Sequence, residues 1–126
     1  MNVVDSSAWL SYFADDDNAA VFSGAIEKLP ELLVPSITII EVFKNVLRQR
    51  SEEVALIVIA HMKQGKVIPL DSELAMDAAK FGVLHKLPLA DSIIFATAQK
   101  YAAVLWTQDS DFEGLQNVRY IAKKST

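Results

Sequence analysis

The chain has 126 residues, 52% of them hydrophobic and 22% charged, the size and make-up of a single globular domain with a core of its own. Twelve Lys and Arg against sixteen Asp and Glu give a formal charge of -4, which argues against a protein that holds nucleic acid on a broad basic surface. With no cysteine, disulfides and thiolate metal sites are excluded, so any metal must sit on oxygen or on His61 and His85.

The opening stretch Asn2-Val3-Val4-Asp5 reads as a short buried strand, β-branched and too short for a helix, and Ser6 or Ser7 is expected to cap the helix that follows. That helix carries Trp9, Leu10 and Phe13 and ends near Asp15-Asp16-Asp17, where Asp16 or Asp17 is expected to cap a second helix over residues 18–29. Val21, Phe22, Ile26 and Leu29 share a face of it, and Pro30 follows its end. Leu32-Leu33-Val34 is a second buried strand. Pro35 and Ser36 stop it and start a third helix over 37–49, with an apolar stripe through Ile39, Val42, Phe43 and Val46. Glu41, Asn45 and Arg48 line up along another edge.

Ser51 caps a fourth helix with Glu52 and Glu53 in its first turn. Its body, residues 54–62, is apolar on nearly every side, so it is expected to be internal or part of an interface. Residues 66–70 form a third strand, placed at a sheet edge by Pro69. Asp71 and Ser72 cap a fifth helix running to about Lys86. Pro88 breaks it from a sixth, 90–102, almost wholly apolar except for Asp91. Val104-Leu105-Trp106 is a fourth strand, closed by Thr107-Gln108-Asp109-Ser110-Asp111-Phe112, and residues 118–121 a fifth. Strands alternating with helices imply a doubly wound α/β domain with a parallel sheet.

In such a sheet, ligands bind beyond the carboxyl ends of the strands. Asp5 and Asp109 end strands; Glu41 and Asp91 lie early in helices that start at the same edge. Each alone has an ordinary reading: a helix cap for Asp5, a turn former for Asp109, a solvated helix residue for Glu41, an acid favoured by the helix dipole for Asp91. Together, four converging carboxylates repel and raise one another's pKa unless a cation compensates. The inference is a divalent metal on oxygen ligands, Mg²⁺ first and Mn²⁺ second, suited to phosphodiester hydrolysis.

These residues carry a resemblance. Asn2-Val3-Val4-Asp5-Ser6-Ser7, Glu41 with Asn45 and Arg48, Leu87-Pro88-Leu89-Ala90-Asp91-Ser92-Ile93-Ile94-Phe95-Ala96-Thr97-Ala98 and Thr107-Gln108-Asp109-Ser110-Asp111-Phe112, in that order, resemble the PIN-domain family across the whole chain. By length the chain is most similar to its VapC-type members, toxins of toxin-antitoxin pairs that are Mg²⁺-dependent endoribonucleases. The resemblance implies one PIN domain over 1–126, a three-layer α/β/α fold with a central parallel sheet of about five strands. It implies that Asp5, Asp91 and Asp109 hold metal and that Glu41 positions water or a second ion. Ser6 and Thr107 would orient the carboxylates, and Asp111 would be either an outer ligand or a cap for the turn before Phe112. Lys44, Arg48 and Lys86 are candidates for the RNA backbone, or simply surface charges. His61 and His85 are expected to be isolated, at the surface or at helix edges, with no catalytic part. The resemblance further implies an RNA substrate, a homodimer, and an antitoxin segment in a groove beside the third and fourth helices. No apolar run approaches the ~20 residues of a membrane span, and Asp5 falls where a signal peptide needs its basic and apolar regions, so a cytoplasmic protein is expected.

Two other readings stay open. A phosphoacceptor receiver domain is also a small parallel α/β unit, and Asp71, Thr107 and Lys123 give it some support; it leaves Glu41 and Asp91 unexplained and has Asp5-Ser6 where an acidic pair is needed. A PIN-like module that binds a partner without catalysis would carry the same acids.

Overall fold

In the computed structural model, which describes residues 1–124, five parallel strands form one sheet: β1 (Asn2–Val4), β2 (Leu32–Pro35), β3 (Lys66–Ile68), β4 (Val104–Thr107) and β5 (Val118–Tyr120). Six α-helices connect them: α1 (Ser6–Ala14), α2 (Ala19–Ile26), α3 (Ser36–Gln49), α4 (Glu52–Met62), α5 (Ser72–His85) and α6 (Leu89–Lys100). The order across the sheet is β3-β2-β1-β4-β5. A receiver-type sheet places β3 between β1 and β4, so the order itself excludes that reading. Asp71, the acid it would have used, instead caps α5, accepting from Leu74 N at 2.8 Å.

The sheet is covered on both faces, and strand residues alternate between two cores as a period of two requires. Val3, Leu33 and Leu105 pack with Leu74, Ala78, Ile94 and Phe95 of α5 and α6. Val4, Leu32 and Val34 pack with Trp9, Phe22, Val42, Val58 and Met62 from α1 to α4. This is the expected three-layer α/β/α arrangement. β3 lies at the edge, with Pro69 just past its last residue, where no ladder hydrogen bond is lost.

Local expectations fail in instructive places. Asp5, not Ser6 or Ser7, is the N-cap of α1. Asn18 is the N-cap of α2 and makes no side-chain cap bond; Asp16 accepts from Ser11 Oγ and Asn18 N instead. The second helix ends at Ile26, and Pro30 lies within a separate 3₁₀ turn, Leu29–Glu31, where its missing N–H costs nothing. Of the two readings of α4, the internal one fails: Ala55, Val58 and Met62 are buried while Leu56 is 57% and Ile57 65% exposed. His61 and His85 are not isolated either. His61 packs edge-on against Tyr12 and Phe13, and His85 stacks on Phe81.

Candidate active site

The strand order reverses between β1 and β4, the place where loops diverge and open a crevice in a parallel sheet. Asp5 leaves the end of β1 there, and Thr107 and Asp109 leave the end of β4. Val4 is registered with Trp106, and Asp5 N continues the ladder to Trp106 O at 3.1 Å. The next step sets Asp5 beside Thr107.

Asp5 is only 2% exposed. Its Oδ1 accepts from Ala8 N at 3.0 Å and from Ser7 Oγ at 2.8 Å; its Oδ2 accepts from Thr107 Oγ1 at 2.7 Å. Thr107 Oγ1 in turn accepts from Asp109 N at 2.9 Å, so one hydroxyl links two acids. Burial pushes the Asp5 carboxyl up to about 6; the donors from Thr107, Ala8 and Ser7 oppose this, and the charge of Asp109 adds to it.

Asp91 lies in the first turn of α6. The helix is seated against α5 by a close approach at Gly82, where a methyl would stand 2.7 Å from Ser92 Oγ. That hydroxyl donates to the carbonyls of Leu87 and Pro88 at 3.2 and 2.9 Å, fixing the turn that delivers Asp91. No residue pattern before the fold pointed to Gly82. Burial first, then the charges of Asp109, Asp5, Asp111 and Glu41, push the Asp91 carboxyl up to about 8.

Carboxylate oxygens of Asp91, Asp109 and Asp111 lie within 4.8 Å of one another. Asp109 caps the 3₁₀ turn Ser110–Phe112 through Asp111 N at 2.9 Å, so the cap before Phe112 is Asp109 and Asp111 is left free to face its neighbours. Asp5 is not one of that trio, but it lines the adjoining cleft of about 440 Å³ with Glu41, Asp91 and Asp109. Ser6 Oγ donates to Glu41 Oε1 at 2.5 Å; it reaches the second helix-borne acid rather than Asp5. Lys44, Asn45 and Arg48 of α3 complete the wall of the cleft. Lys86, in contrast, ends α5 in a left-handed conformation with φ 56° and does not line it.

The donor set fits a hard divalent cation. Hard cations take oxygen ligands, three carboxylates supply them within one coordination sphere's reach, and the charges that act on Asp91 are all negative. Like charges held this close need a cation to ionise together.

Comparison with solved structures finds the same arrangement of elements. A toxin-antitoxin complex from Klebsiella pneumoniae superposes with a TM-score of 0.79 at 23% identity, over 94% of this chain and 96% of that one. VapC20 of Mycobacterium tuberculosis, a Sarcin-Ricin loop cleaving toxin, gives 0.76 at 22% identity, over 94% and 99%. A DNA-bound VapBC from Salmonella typhimurium gives 0.74 at 15% identity, over 96% of each chain. At these identities the likeness is one of fold. Comparison with curated protein sequences gives no significant match. The family model described as PIN domain matches residues 3–117, a span that begins in β1 and ends just before β5, and the chain therefore belongs to the PIN-domain family.

Proposed function

We propose that this chain is a divalent-metal-dependent endoribonuclease and the toxin of a toxin-antitoxin pair. The observation that carries the reading is the trio Asp91, Asp109 and Asp111, with oxygens within 4.8 Å of one another beside a cleft that holds Asp5 and Glu41. Asp91 and Asp109 would hold Mg²⁺ or Mn²⁺, with Asp111 on the outer side and Asp5 completing the acidic floor. A bound cation supplies the charge that offsets carboxylates and phosphate, and it acidifies water.

The remaining steps fall to the chain's own groups. Glu41, held by Ser6, orients the attacking water and accepts its proton as the water oxygen bonds to phosphorus and the P–O bond to the leaving ribose oxygen breaks; solvent reprotonates that oxygen. Lys44 and Arg48, on the same wall of the cleft, hold the RNA phosphates and offset the acids that would otherwise repel them. Thr107 fixes Asp5 and the backbone of Asp109 together, so the spacing of the acids does not depend on the substrate.

Solved neighbours that include toxin-antitoxin complexes support an antitoxin partner, and a homodimer in the cytoplasm is the accompanying proposal. Among the described residues no helix is long and apolar enough to cross a membrane. The open face of α4, with Leu56 and Ile57, is suited to a protein partner.

The test is cleavage of structured RNAs with Mg²⁺, with chelator, and by Asp91→Asn. Cleavage by the wild type with Mg²⁺ alone is expected. Activity that survives both chelation and the substitution refutes the metal site; metal binding without cleavage of any RNA in a broad panel refutes the nuclease.

A further inference from the structure

We infer that Gln108 and Asn18 are positioning residues of the acid site, a clamp that holds the ends of β1 and β4 at the spacing the carboxylates need. The inference rests on the metal-dependent reading above and adds two residues to it. Gln108 lies between Thr107 and Asp109, but its amide bonds to the first turn of α1. Nε2 donates to the Ser7 carbonyl at 3.3 Å, and the backbone N donates to Ser7 Oγ at 3.4 Å. Ser7 Oγ in turn donates to Asp5 Oδ1. Behind Gln108 stands Asn18, 2% exposed, whose Nδ2 donates to Gln108 Oε1 at 3.0 Å and to the Ala122 carbonyl at 3.1 Å.

Side-chain hydrogen bonds therefore run from the segment after β5, through the N-cap of α2 and the Gln108 amide, to the carbonyl of Ser7; they hold the Gln108 backbone N against Ser7 Oγ, the hydroxyl that donates to the carboxylate of Asp5. Burying two amides costs desolvation that apolar side chains would not incur; Asn18 Oδ1 has no partner among the described residues, so what the pair contributes is the position fixed by the bonds it does make. The pair spans the seam between the loop that carries Asp5 and the loop that carries Asp109. Groups that orient metal-binding side chains alter metal affinity without touching the metal.

The experiment is a Mn²⁺ titration of the whole chain, read from the electron paramagnetic resonance of free Mn²⁺, with folding checked by circular dichroism in chelator. Gln108→Leu is expected to raise the Mn²⁺ Kd by ~10-fold or more and Asn18→Leu by less. The double variant should be no weaker than Gln108→Leu, because both act along one path. Ala60→Gly, a helix-weakening change on the exposed side of α4 and away from both the clamp and the α5–α6 contact, should lower the thermal midpoint and leave the Kd within about twofold of wild type. If Gln108→Leu does not fold, Gln108→Asn, too short to reach both partners, carries the same expectation.

A folded Gln108 variant that binds Mn²⁺ within about twofold of wild type overturns the clamp, as does an equal loss in Ala60→Gly. Wild-type protein that binds no Mn²⁺ overturns the clamp and the metal reading together. Wild-type protein that binds Mn²⁺ and cleaves no RNA overturns only the nuclease, and the weakened Gln108→Leu then still supports the clamp.

Discussion

Asp5 and Asp91 present the same side chain to one cleft and are held in opposite ways. Asp5 is almost fully buried, and its two oxygens accept from a backbone N–H and two hydroxyls. Asp91 is half-buried, and among the described residues no hydrogen bond holds its carboxylate; it is placed by the seating of α6 alone. Burial raises both, but donors restrain Asp5 to about 6 while other acids carry Asp91 to about 8. The difference separates two duties of a carboxylate in an acidic site. One is part of the scaffold as well as the site; the other is free to respond to a ligand.

Asp91→Asn should have the largest effect on activity. Loss of cleavage should exceed the ~100-fold that removal of an outer partner can cost. Thermal melting in chelator at pH 8 should show a higher midpoint than wild type, because a repelled charge has gone. A lower midpoint would mean that Asp91 is as much a part of the scaffold as Asp5.

Asp5→Ala should lose cleavage and stability together. It removes the cap of α1 and leaves Thr107 Oγ1 and Ala8 N without their acceptor, a cost of about 1–3 kcal/mol in urea denaturation at pH ~4, below the range in which the buried Asp5 charge weakens the fold. Stability equal to wild type would remove the distinction between the two acids.

The pH dependence sharpens it further. Both carboxyls titrate higher in the folded protein than in the unfolded chain, so the native state binds more protons between the ordinary carboxylate range and pH 8. Without metal, stability should be highest on the acid side of that window and fall as pH rises through about 6 and then about 8. Asp5 accounts for ~3 kcal/mol of the fall. Saturating Mg²⁺ should flatten it, and in Asp91→Asn the fall should end near the Asp5 step. Urea midpoints measured across the window, with and without chelator, check all three; a flat metal-free profile would contradict the burial of both charges.

Ser6→Ala should have the smallest effect. It frees Glu41 without uncovering a buried group, so stability should stay within ~1 kcal/mol while cleavage drops several-fold. A stability loss as large as that of Asp5→Ala would place Ser6 in the scaffold.

Much of the frame was legible because its signals are local. Ser51 and Asp71 cap α4 and α5 as their positions before apolar runs suggest. Pro69 marks β3 as an edge, and the alternation of apolar segments implies the parallel sheet. The cap of α1 was not legible, since Asp5, Ser6 and Ser7 are all good caps. What chose Asp5 was its backbone bond to Trp106, a residue far along the chain. The open face of α4 was equally hidden, because an apolar helix does not say which of its sides the neighbours cover.

The sequence by itself determined the order of strands and helices, the exclusion of thiolate from any metal site and which acids were candidates, because composition, periodicity and capping act within a few residues. Only the tertiary structure decided the sheet order β3-β2-β1-β4-β5, the trio Asp91, Asp109 and Asp111, and which donor meets which oxygen. Ser6 reaches Glu41 across 35 positions and Thr107 reaches Asp5 across 102. Such pairings are set by how helices and strands pack, and packing is a property of the whole chain.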